Sequence, residues 1–345
     1  MDNSFILLAN QNKDDSVNFI AKSTSNRVDC GMIIKELSTS CKGNGGGSKV
    51  FAQGGGTDGT NIAALLINIK EKIKKLYHYT SIENLLLILK TKSICFSSLE
   101  NVDDMEEMET EDLKNFGRFY YVSCWNKSSK ESIPLWTMYS QDMKGVRIEL
   151  PIFPFEKFSY NADEYYFKEN TMEYIDVNEL YNETKMVVID EGIKLFDIEY
   201  TDNEKLLYPK IKNIESKNLL KYDFSKLGKY KRSNWSFQEE CRYGVLMVPW
   251  NLEYLKKVRQ IQSTKNARTN EETSQVIHEL RDLLENPNTI VPCKRFYLKI
   301  DSDILKQMKI LLGPKVTPAQ EDIVKLIVKE YCPDIKISRS KLKIC

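Results

Sequence analysis

Residues 43–58 read GNGGGSKVFAQGGGTD and contain seven of the fifteen glycines in this chain of 345 residues. Glycine clusters are typical of left-handed turns and of backbone that approaches a ligand closely, and both are common near phosphate groups. A flexible Gly/Ser linker has a similar composition, but the insert VFAQ between the two clusters is apolar and strand-like, unlike such linkers. The stretch therefore predicts part of a folded module.

Two well-known phosphate-binding loops do not match this stretch. A P-loop ends in Gly-Lys followed by Ser or Thr, and no such triplet occurs in the sequence. A Rossmann fingerprint needs an acidic residue at the end of a second strand about 20 residues further on, and that context is also missing. If the glycines contact a ligand, they do so in another kind of fold.

The segments on either side of the glycine stretch predict a small α+β unit. Two short strands at 4–9 and 17–23 precede a helix from about Asp29 to Cys41, and a second helix follows the glycines. The apolar positions of the second helix recur at helical spacing and are Ile62, Leu65, Leu66, Ile69 and Ile73. We expect these elements to form a separate domain at residues 1–75.

The composition is that of a folded protein without a membrane segment. Hydrophobic residues make up 41% of the chain, which supports a core, and the net charge of +1 neither favours nor opposes a nucleic-acid partner. No apolar run is long enough to span a bilayer, and the first residues lack the basic head of a secretory signal. We expect a cytoplasmic protein with no membrane partner.

A metal site is not predicted. The eight cysteines form no CxxC pair, which favours reduced thiols, and two histidines are too few for a histidine-rich metal centre. The acidic run DDMEEMETED at 103–112 predicts a solvated helix face, with a metal or regulatory site as the alternative.

Residues 76–345 predict one larger mixed α/β domain. Strands are expected at 76–80, within 116–125, after Gly145, from about Glu240 and at 334–338. Helices are expected behind Thr80, within SIPLWTMYS, over 155–225 together with loops, at 270–286 and behind the capping box TPAQ. The predicted fold class is α+β, with a small α+β docking domain followed by this larger domain.

The glycine stretch resembles the DHH-associated domain that ends alanyl-tRNA synthetases and accompanies DHH phosphoesterases. The matching residues are Gly45, Gly46, Gly47, Ala52, Gln53, Gly54, Gly55 and Gly56. The resemblance implies docking of RNA or a nucleotide through Lys42, Gly45, Gly46, Gly47, Lys49, Gln53, Gly54 and Gly55. No Asp-His-His triplet occurs, so phosphoesterase activity is not implied. A packed scaffold whose glycines only make tight turns is the alternative.

A second resemblance covers residues 76–345. The order LYHYTS, FYYVSCW, PLWTMYS, KGVRIEL, WSFQEECR and LLGPK is similar to a bacterial family of unknown function found near abortive-infection genes. In that family the position of Gln238 is more often glutamate. The opening residues Tyr77, His78, Thr80, Asn84 and Leu85 also resemble the first motif of DNA-targeting ADP-ribosyltransferase toxins, and Gln238-Glu239-Glu240 resembles their Q-x-E turn.

This resemblance implies an ADP-ribosyltransferase-like split sheet with NAD as substrate. Glu240 is the candidate for stabilising the oxocarbenium ion that forms when nicotinamide leaves, and Gln238 for orienting the acceptor. The implied NAD-binding residues are Tyr77, His78, Tyr79, Thr80, Tyr121 and Arg242, with Lys231 and Arg232 as alternatives for the pyrophosphate. An ordinary cross-strand ion pair between Glu240 and Arg242 is the structural alternative.

The leading hypothesis is an enzyme of antiviral defence or a toxin that transfers ADP-ribose from NAD to a nucleic acid such as tRNA. The small domain would dock the RNA and raise its effective concentration at the catalytic domain. Two rivals remain: a non-catalytic sensor of a nucleotide or of a phage-derived trigger, and an RNA nuclease. The oligomeric state is not indicated by the sequence.

Overall fold

A computed structural model describes residues 5–24, 29–73, 75–161, 170–189, 192–215, 219–253, 255–256 and 271–344. The chain divides into two compact units. Unit 1 comprises Met1–Lys75 with Pro151–Phe153, and unit 2 comprises Leu76–Leu150 with Pro154–Cys345. No helix in the described ranges is long and apolar enough to cross a membrane.

Unit 1 contains a four-stranded antiparallel sheet. Its elements are β1 (Phe5–Gln11), β2 (Val17–Ser23), α1 (Cys30–Ser40), β3 (Asn44–Gly47), β4 (Phe51–Gly56) and α2 (Ile62–Ile73), and the strand order is β1-β2-β4-β3. Asp29 caps α1 by accepting a hydrogen bond from the amide of Met32 at 3.1 Å. The predicted strands and helices of this unit are confirmed, but both glycine clusters, which the sequence associated with turns, lie in strands of the sheet.

The glycines permit close packing of α1 on the sheet. Gly45 and Gly54 lie opposite each other in the β3–β4 register. A Cβ atom on Gly45 would lie 2.6 Å from the Cα of Gly54 and would also collide with the Ser38 hydroxyl of α1. Gly46 differs, because a Cβ atom placed there meets no atom of the described residues within 4 Å. Close packing therefore explains why glycine is required at positions 45 and 54, but it does not explain the glycine at position 46.

Unit 2 is a mixed α/β unit that also contains short 3₁₀ helices, labelled η. The elements of its first half are β5 (Lys75–Thr80), α3 (Ile82–Thr91), β6 (Ser93–Ser98), η1 (Leu99–Asn101), η2 (Met105–Met108), η3 (Phe116–Phe119), β7 (Tyr120–Asn126), α4 (Ile133–Tyr139), β8 (Val146–Pro151), β9 (Phe158–Tyr160), β10 (Thr171–Glu173), α5 (Val177–Thr184), β11 (Val187–Val188) and β12 (Lys194–Asp197).

The elements of the second half are β13 (Glu199–Tyr200), α6 (Glu204–Leu207), β14 (Lys212–Glu215), β15 (Leu219–Tyr222), β16 (Tyr230–Lys231), η4 (Ser233–Gln238), β17 (Glu240–Val248), α7 (Glu271–Glu285), β18 (Arg295–Lys299), α8 (Ser302–Leu305), β19 (Lys309–Leu312), α9 (Pro318–Tyr331) and β20 (Lys336–Arg339). The capping box of α9 is confirmed: Thr317 and Gln320 bond reciprocally at its start. The segment 155–225 differs from the prediction, because it contains short strands as well as helices.

The main sheet divides at β7. Among the described residues it follows the order β11-β17-β7-β5-β8-β19-β20, with β12 also on β17 and with β18 joined through β6. One edge of β7 pairs with β17 over residues 120–126. The other edge pairs with β6 at residues 121–122 and with β5 at residue 126. The two strands β5 and β6 therefore leave the same edge of β7 at different points, which opens a gap between them.

We predict that Gly45→Ala loosens unit 1 and that Gly46→Ala does not. The added methyl group at position 45 collides with backbone, and such overpacking costs about 1–3 kcal/mol. The readout is hydrogen–deuterium exchange of the full chain, in which Gly45→Ala should expose the amides of α1, β3 and β4 faster. Equal protection in the two variants would contradict the packing role assigned to Gly45.

Candidate functional site

A cleft lies where β5 and β6 separate from β7. Its volume is about 440 Å³, within the ~300–1,000 Å³ range of small-molecule sites. Among the residues that line it are Tyr77, His78, Tyr79, Thr80, Asn84, Cys95, Asp103, Cys124, Asn126, Tyr139, Lys231, Gln238, Glu240, Arg242, Arg295 and Tyr297. The cleft thus brings His78 together with Gln238 and Glu240, which lie more than 150 residues further along the sequence.

His78 presents a hydrogen-bond acceptor to the cleft. Its Nδ1 lies 2.8 Å from the backbone carbonyl of Cys124. A carbonyl oxygen only accepts, so Nδ1 carries the ring hydrogen and Nε2 of the neutral ring keeps a free lone pair. Burial lowers the pKa of His78, although its bond to the Cys124 carbonyl acts in the opposite direction. The neutral imidazole is therefore suited to accepting a hydrogen bond from a ligand hydroxyl.

Gln238 lies at the end of η4, and Glu239 follows it in the left-handed region with φ of 43° before β17 begins. The Gln238 amide nitrogen donates to the Tyr139 hydroxyl at 2.6 Å, and that hydroxyl donates to Asp103 at 2.7 Å. Because Tyr139 already gives its hydrogen to Asp103, this orientation of the Gln238 amide is the consistent one. Its oxygen Oε1 is buried and has no hydrogen-bond partner among the residues that the structure describes. A buried acceptor in this state can receive a hydrogen bond from a ligand.

Glu240 and Arg242 belong to a buried ion network. Both residues lie on β17, where all nine positions are buried. The Arg242 guanidinium bonds both carboxylate oxygens of Glu240 and both of Glu107. Lys231 lies 3.1 Å from Glu107 and 3.5 Å from Glu240. Two carboxylates and two cations thus balance one another in the interior.

This network changes the role predicted for Arg242. Its Nε and Nη atoms have five hydrogens, and they are taken by Glu240, Glu107 and, at 3.4 Å, the carbonyl of Gly228. The side chain is also fully buried. Arg242 therefore has no donor left for a pyrophosphate. Its ion pair with Glu240 joins two residues of the same strand, whereas the alternative considered was a pair between two strands.

The carboxylate of Glu240 is likewise occupied. Burial alone would raise its pKa, but Arg242 and then Lys231 outweigh burial and hold the pKa below the ordinary value. Glu240 is therefore ionised at neutral pH, and its negative charge is neutralised by two adjacent cations. A neutralised carboxylate is a weak source of the electrostatic stabilisation that a developing cation requires.

The acidic run 103–112 is not the solvated helix face that was predicted. Its residues form turns around η2, and Asp104 and Glu107 are buried. Glu106 pairs with Arg232, which holds Arg232 in an ion pair on that segment. One signal in the sequence indicated this run, although not Glu107 in particular. An arginine within the apolar strand ECRYGVLMV needs more acceptors than one carboxylate offers, and this run is the richest source of carboxylates.

The remaining predicted NAD-binding residues divide between cleft wall and core. Tyr79 lies in the wall, where its hydroxyl accepts from the Ser132 amide at 3.0 Å and its ring meets the edge of Trp136. Tyr77 and Thr80 also line the cleft and are largely buried. Tyr121 is fully buried, donates to the carbonyl of Cys293 and packs against Phe296, so it does not line the cleft.

Two charged side chains of the cleft were not singled out by sequence reasoning. Asp103 and Arg295 are exposed, and neither forms an ion pair with any residue in the described part of the chain. Their neighbours in the sequence formed no distinctive motif, because Asp103 lies within a run of acidic residues and Arg295 within a short basic segment.

The predicted docking residues of unit 1 lie on different surfaces. Gly45 and Gly54 face α1, and Lys42 pairs with Asp58 at 2.9 Å. The open face of the sheet, defined here as the side away from α1, carries Gly46, Gln53 and Gly55 in register with exposed positions of β2. The exposed neighbours of these residues on that face are Ile6, Leu8, Ile20, Lys22 and Phe51.

Metal and disulfide sites are absent from the described residues. No group of three or more His, Cys, Asp or Glu side chains there could hold a metal ion. The cysteines at 30, 41, 95, 124, 241, 293 and 332 are free thiols, and Cys345 lies outside the described range.

Residues 1–75 match the DHHA1 domain family. The chain is 42% identical over 79 residues to alanine–tRNA ligase of Staphylococcus aureus strain bovine RF122 / ET3-1, and the match covers 22% of this chain and 9% of that protein. The enzyme of strain JH9 gives the same identity and coverage. Among solved structures, the C-Ala domain of Aquifex aeolicus alanyl-tRNA synthetase is 27% identical, covering 19% of this chain and 62% of that chain with a TM-score of 0.18.

We predict that Glu107→Gln destabilises unit 2 by about 3–5 kcal/mol, because it leaves two buried cations facing one carboxylate. All four tryptophans lie at 125–250, so urea unfolding followed by tryptophan fluorescence reports on unit 2. The control is Asp303→Asn, which breaks the exposed Asp303–Lys306 pair and should change stability by less than about 0.5 kcal/mol. Similar shifts in both variants would contradict the network's structural role.

Proposed function

We propose that unit 2 binds NAD in the cleft and transfers its ADP-ribose group to a nucleic acid. The observation that carries this proposal is the convergence of His78 and the Gln238–Glu240 segment on one cleft at the division of the main sheet. A split between β5 and β6 is also what an ADP-ribosyltransferase-like sheet would need to admit a dinucleotide. The cleft volume of about 440 Å³ is compatible with a ligand of this class.

The hydrogen-bonding groups of the cleft suit the sugar and amide groups of NAD. His78 offers Nε2 to a ribose hydroxyl, because its other nitrogen is held by the Cys124 carbonyl. The buried Oε1 of Gln238 offers a second acceptor for an N–H or O–H donor. The apolar and aromatic wall around Ile94, Tyr79 and Leu135 supplies the surface on which a ring can pack.

Arg295 is the group in this cleft that fits the pyrophosphate. Arg242 and Lys231 are committed to carboxylates, and Arg232 pairs with Glu106. Arg295 lines the cleft with its guanidinium free of ion pairs among the described residues. A planar guanidinium can bind phosphate oxygens through two parallel hydrogen bonds, so Arg295 replaces Arg242 in this role.

We predict that the purified chain releases nicotinamide from NAD and that Arg295→Ala raises the KM for NAD about 10- to 100-fold, because a charge-assisted hydrogen bond contributes about 1.5–3 kcal/mol. Lys294→Ala is the matched control, because Lys294 is an exposed neighbouring cation that does not line the cleft.

The outcomes separate the rival functions. NAD binding without nicotinamide release would favour the nucleotide sensor, and cleavage of RNA in the absence of NAD would favour the nuclease. If the wild-type chain neither binds nor consumes NAD, the proposal fails. In this proposal the enzyme acts in antiviral defence or as a toxin, so expression of the active chain should arrest bacterial growth. The Arg295→Ala variant, which releases nicotinamide more slowly, should relieve that arrest.

For unit 1 we propose docking of RNA, including tRNA, on the open face of its sheet. The support is the match to the DHHA1 domain and to a segment of alanine–tRNA ligase. On that face Phe51 is 46% exposed next to Lys22 in the β2–β4 register, and Gly46 leaves room for a ligand. An exposed aromatic ring beside a lysine and bare backbone can stack a base and meet a phosphate.

We predict that Phe51→Ala weakens binding of tRNA to the full chain about 5- to 100-fold, because base stacking on an aromatic ring contributes about 1–3 kcal/mol. Gly46→Val should also weaken binding while leaving NAD turnover intact, since the added side chain fits the fold but covers the face. Met32→Ala is the control, because Met32 is 65% exposed on α1 rather than on the open face. Filter binding at fixed salt measures the effect, and unchanged affinity in Phe51→Ala would place the RNA elsewhere.

A further inference from the structure

The two carboxylates that line the cleft differ in how accessible their charge is to a ligand. Glu240 is buried and is neutralised by Arg242 and Lys231. Asp103 is exposed to the cleft, and no cation in the described part of the chain pairs with it. A ligand that enters the cleft therefore meets the negative charge of Asp103 before that of Glu240.

Asp103 is also held in position. It lies between η1 and η2, and its Oδ2 accepts the Tyr139 hydroxyl at 2.7 Å. Tyr139 in turn accepts from the Gln238 amide at 2.6 Å, and Gln238 is fixed because Asn126 donates to its backbone carbonyl at 2.7 Å. This chain of bonds runs from β7 to Asp103 and uses its Oδ2, and among the described residues no hydrogen bond occupies Oδ1.

We propose that Asp103 is the catalytic carboxylate of the cleft, that Tyr139 and Gln238 are its positioning residues, and that Glu240 is structural. This inference rests on the proposed transfer of ADP-ribose from NAD. It moves the reacting charge from the Q-x-E segment to the acidic run, a position that the sequence motifs did not indicate.

The chemical step can be written with Asp103 alone. The bond between ribose C1′ and the nicotinamide nitrogen breaks, and its electron pair leaves with nicotinamide, which becomes neutral. The positive charge on the ribose is stabilised by the Asp103 carboxylate. The acceptor hydroxyl or amine then forms a bond to C1′, and its proton passes to Asp103 and on to water. The products are ADP-ribosylated acceptor, nicotinamide and one proton.

Tyr139 remains protonated in this arrangement. Burial, followed by the hydrogen bond to Asp103, raises the pKa of its hydroxyl well above the usual range. The hydroxyl therefore keeps donating to Asp103 at neutral pH and does not compete for the proton of the acceptor.

The test compares Asp103→Asn with Glu100→Gln in the full chain. Glu100 is an exposed carboxylate three residues earlier that does not line the cleft. Asp103→Asn should lower kcat for nicotinamide release about 10²- to 10⁴-fold with NAD affinity changed by less than about threefold, whereas Glu100→Gln should match the wild type.

A rescue experiment separates chemistry from structure. Because Asp103 is exposed, sodium formate can reach the space left in Asp103→Ala and should restore part of the lost nicotinamide release. Tyr139→Phe should lower kcat about 10- to 100-fold, since it removes a hydrogen bond to a charged group, and formate should not rescue it.

The outcomes distinguish this inference from the proposed function. If the wild type releases nicotinamide and Asp103→Asn does so at the same rate, the inference is overturned and the proposed function stands. Loss of activity in Asp103→Asn with an earlier urea transition, together with no formate rescue of Asp103→Ala, would also overturn it, because that result marks a structural role. A wild type without any NAD turnover overturns the proposed function itself.

Discussion

The fully buried guanidinium of Arg242 is the constraint on which unit 2 depends. A charge of this kind is tolerated in a protein interior only when its donors are satisfied and its charge is balanced. Glu240 on the same strand satisfies part of it, and the rest comes from Glu107 in η2 and from a backbone carbonyl. The network therefore ties β17 to a segment more than 130 residues away and fixes the floor of the cleft.

The sequence was sufficient where the signal was local. The start of α1 near Asp29, the capping box of α9 and the strand that begins at Glu240 each depend on neighbours within a few residues, and all three were predicted. The strands within 155–225 were missed because strands of two to four residues are too short to show an alternating pattern. The glycine strands were missed because glycine has low strand propensity, and only the approach of α1 explains its use there.

The same difference between local sequence signals and tertiary packing applies to the candidate site. His78 and Gln238, which two separate motifs singled out in the sequence, line the same cleft in the structure. It did not indicate that Arg242 has no free donor or that Tyr121 lies in the core, because burial and hydrogen-bond saturation result from tertiary packing. Glu107 was hidden for the same reason: within DDMEEMETED every carboxylate looks alike until one of them is buried.

The two carboxylates of the cleft show why residue type alone does not assign a catalytic role. Glu240 and Asp103 carry the same charge, but two cations cancel the field of Glu240, whereas a tyrosine hydroxyl orients Asp103 without neutralising it. A hydrogen bond from a neutral donor fixes a carboxylate and preserves its charge, and an ion pair fixes it and removes that charge from the reach of a ligand. The burial and ion pairing that hold Glu240 in the interior therefore also weaken the field that its charge exerts on a ligand in the cleft.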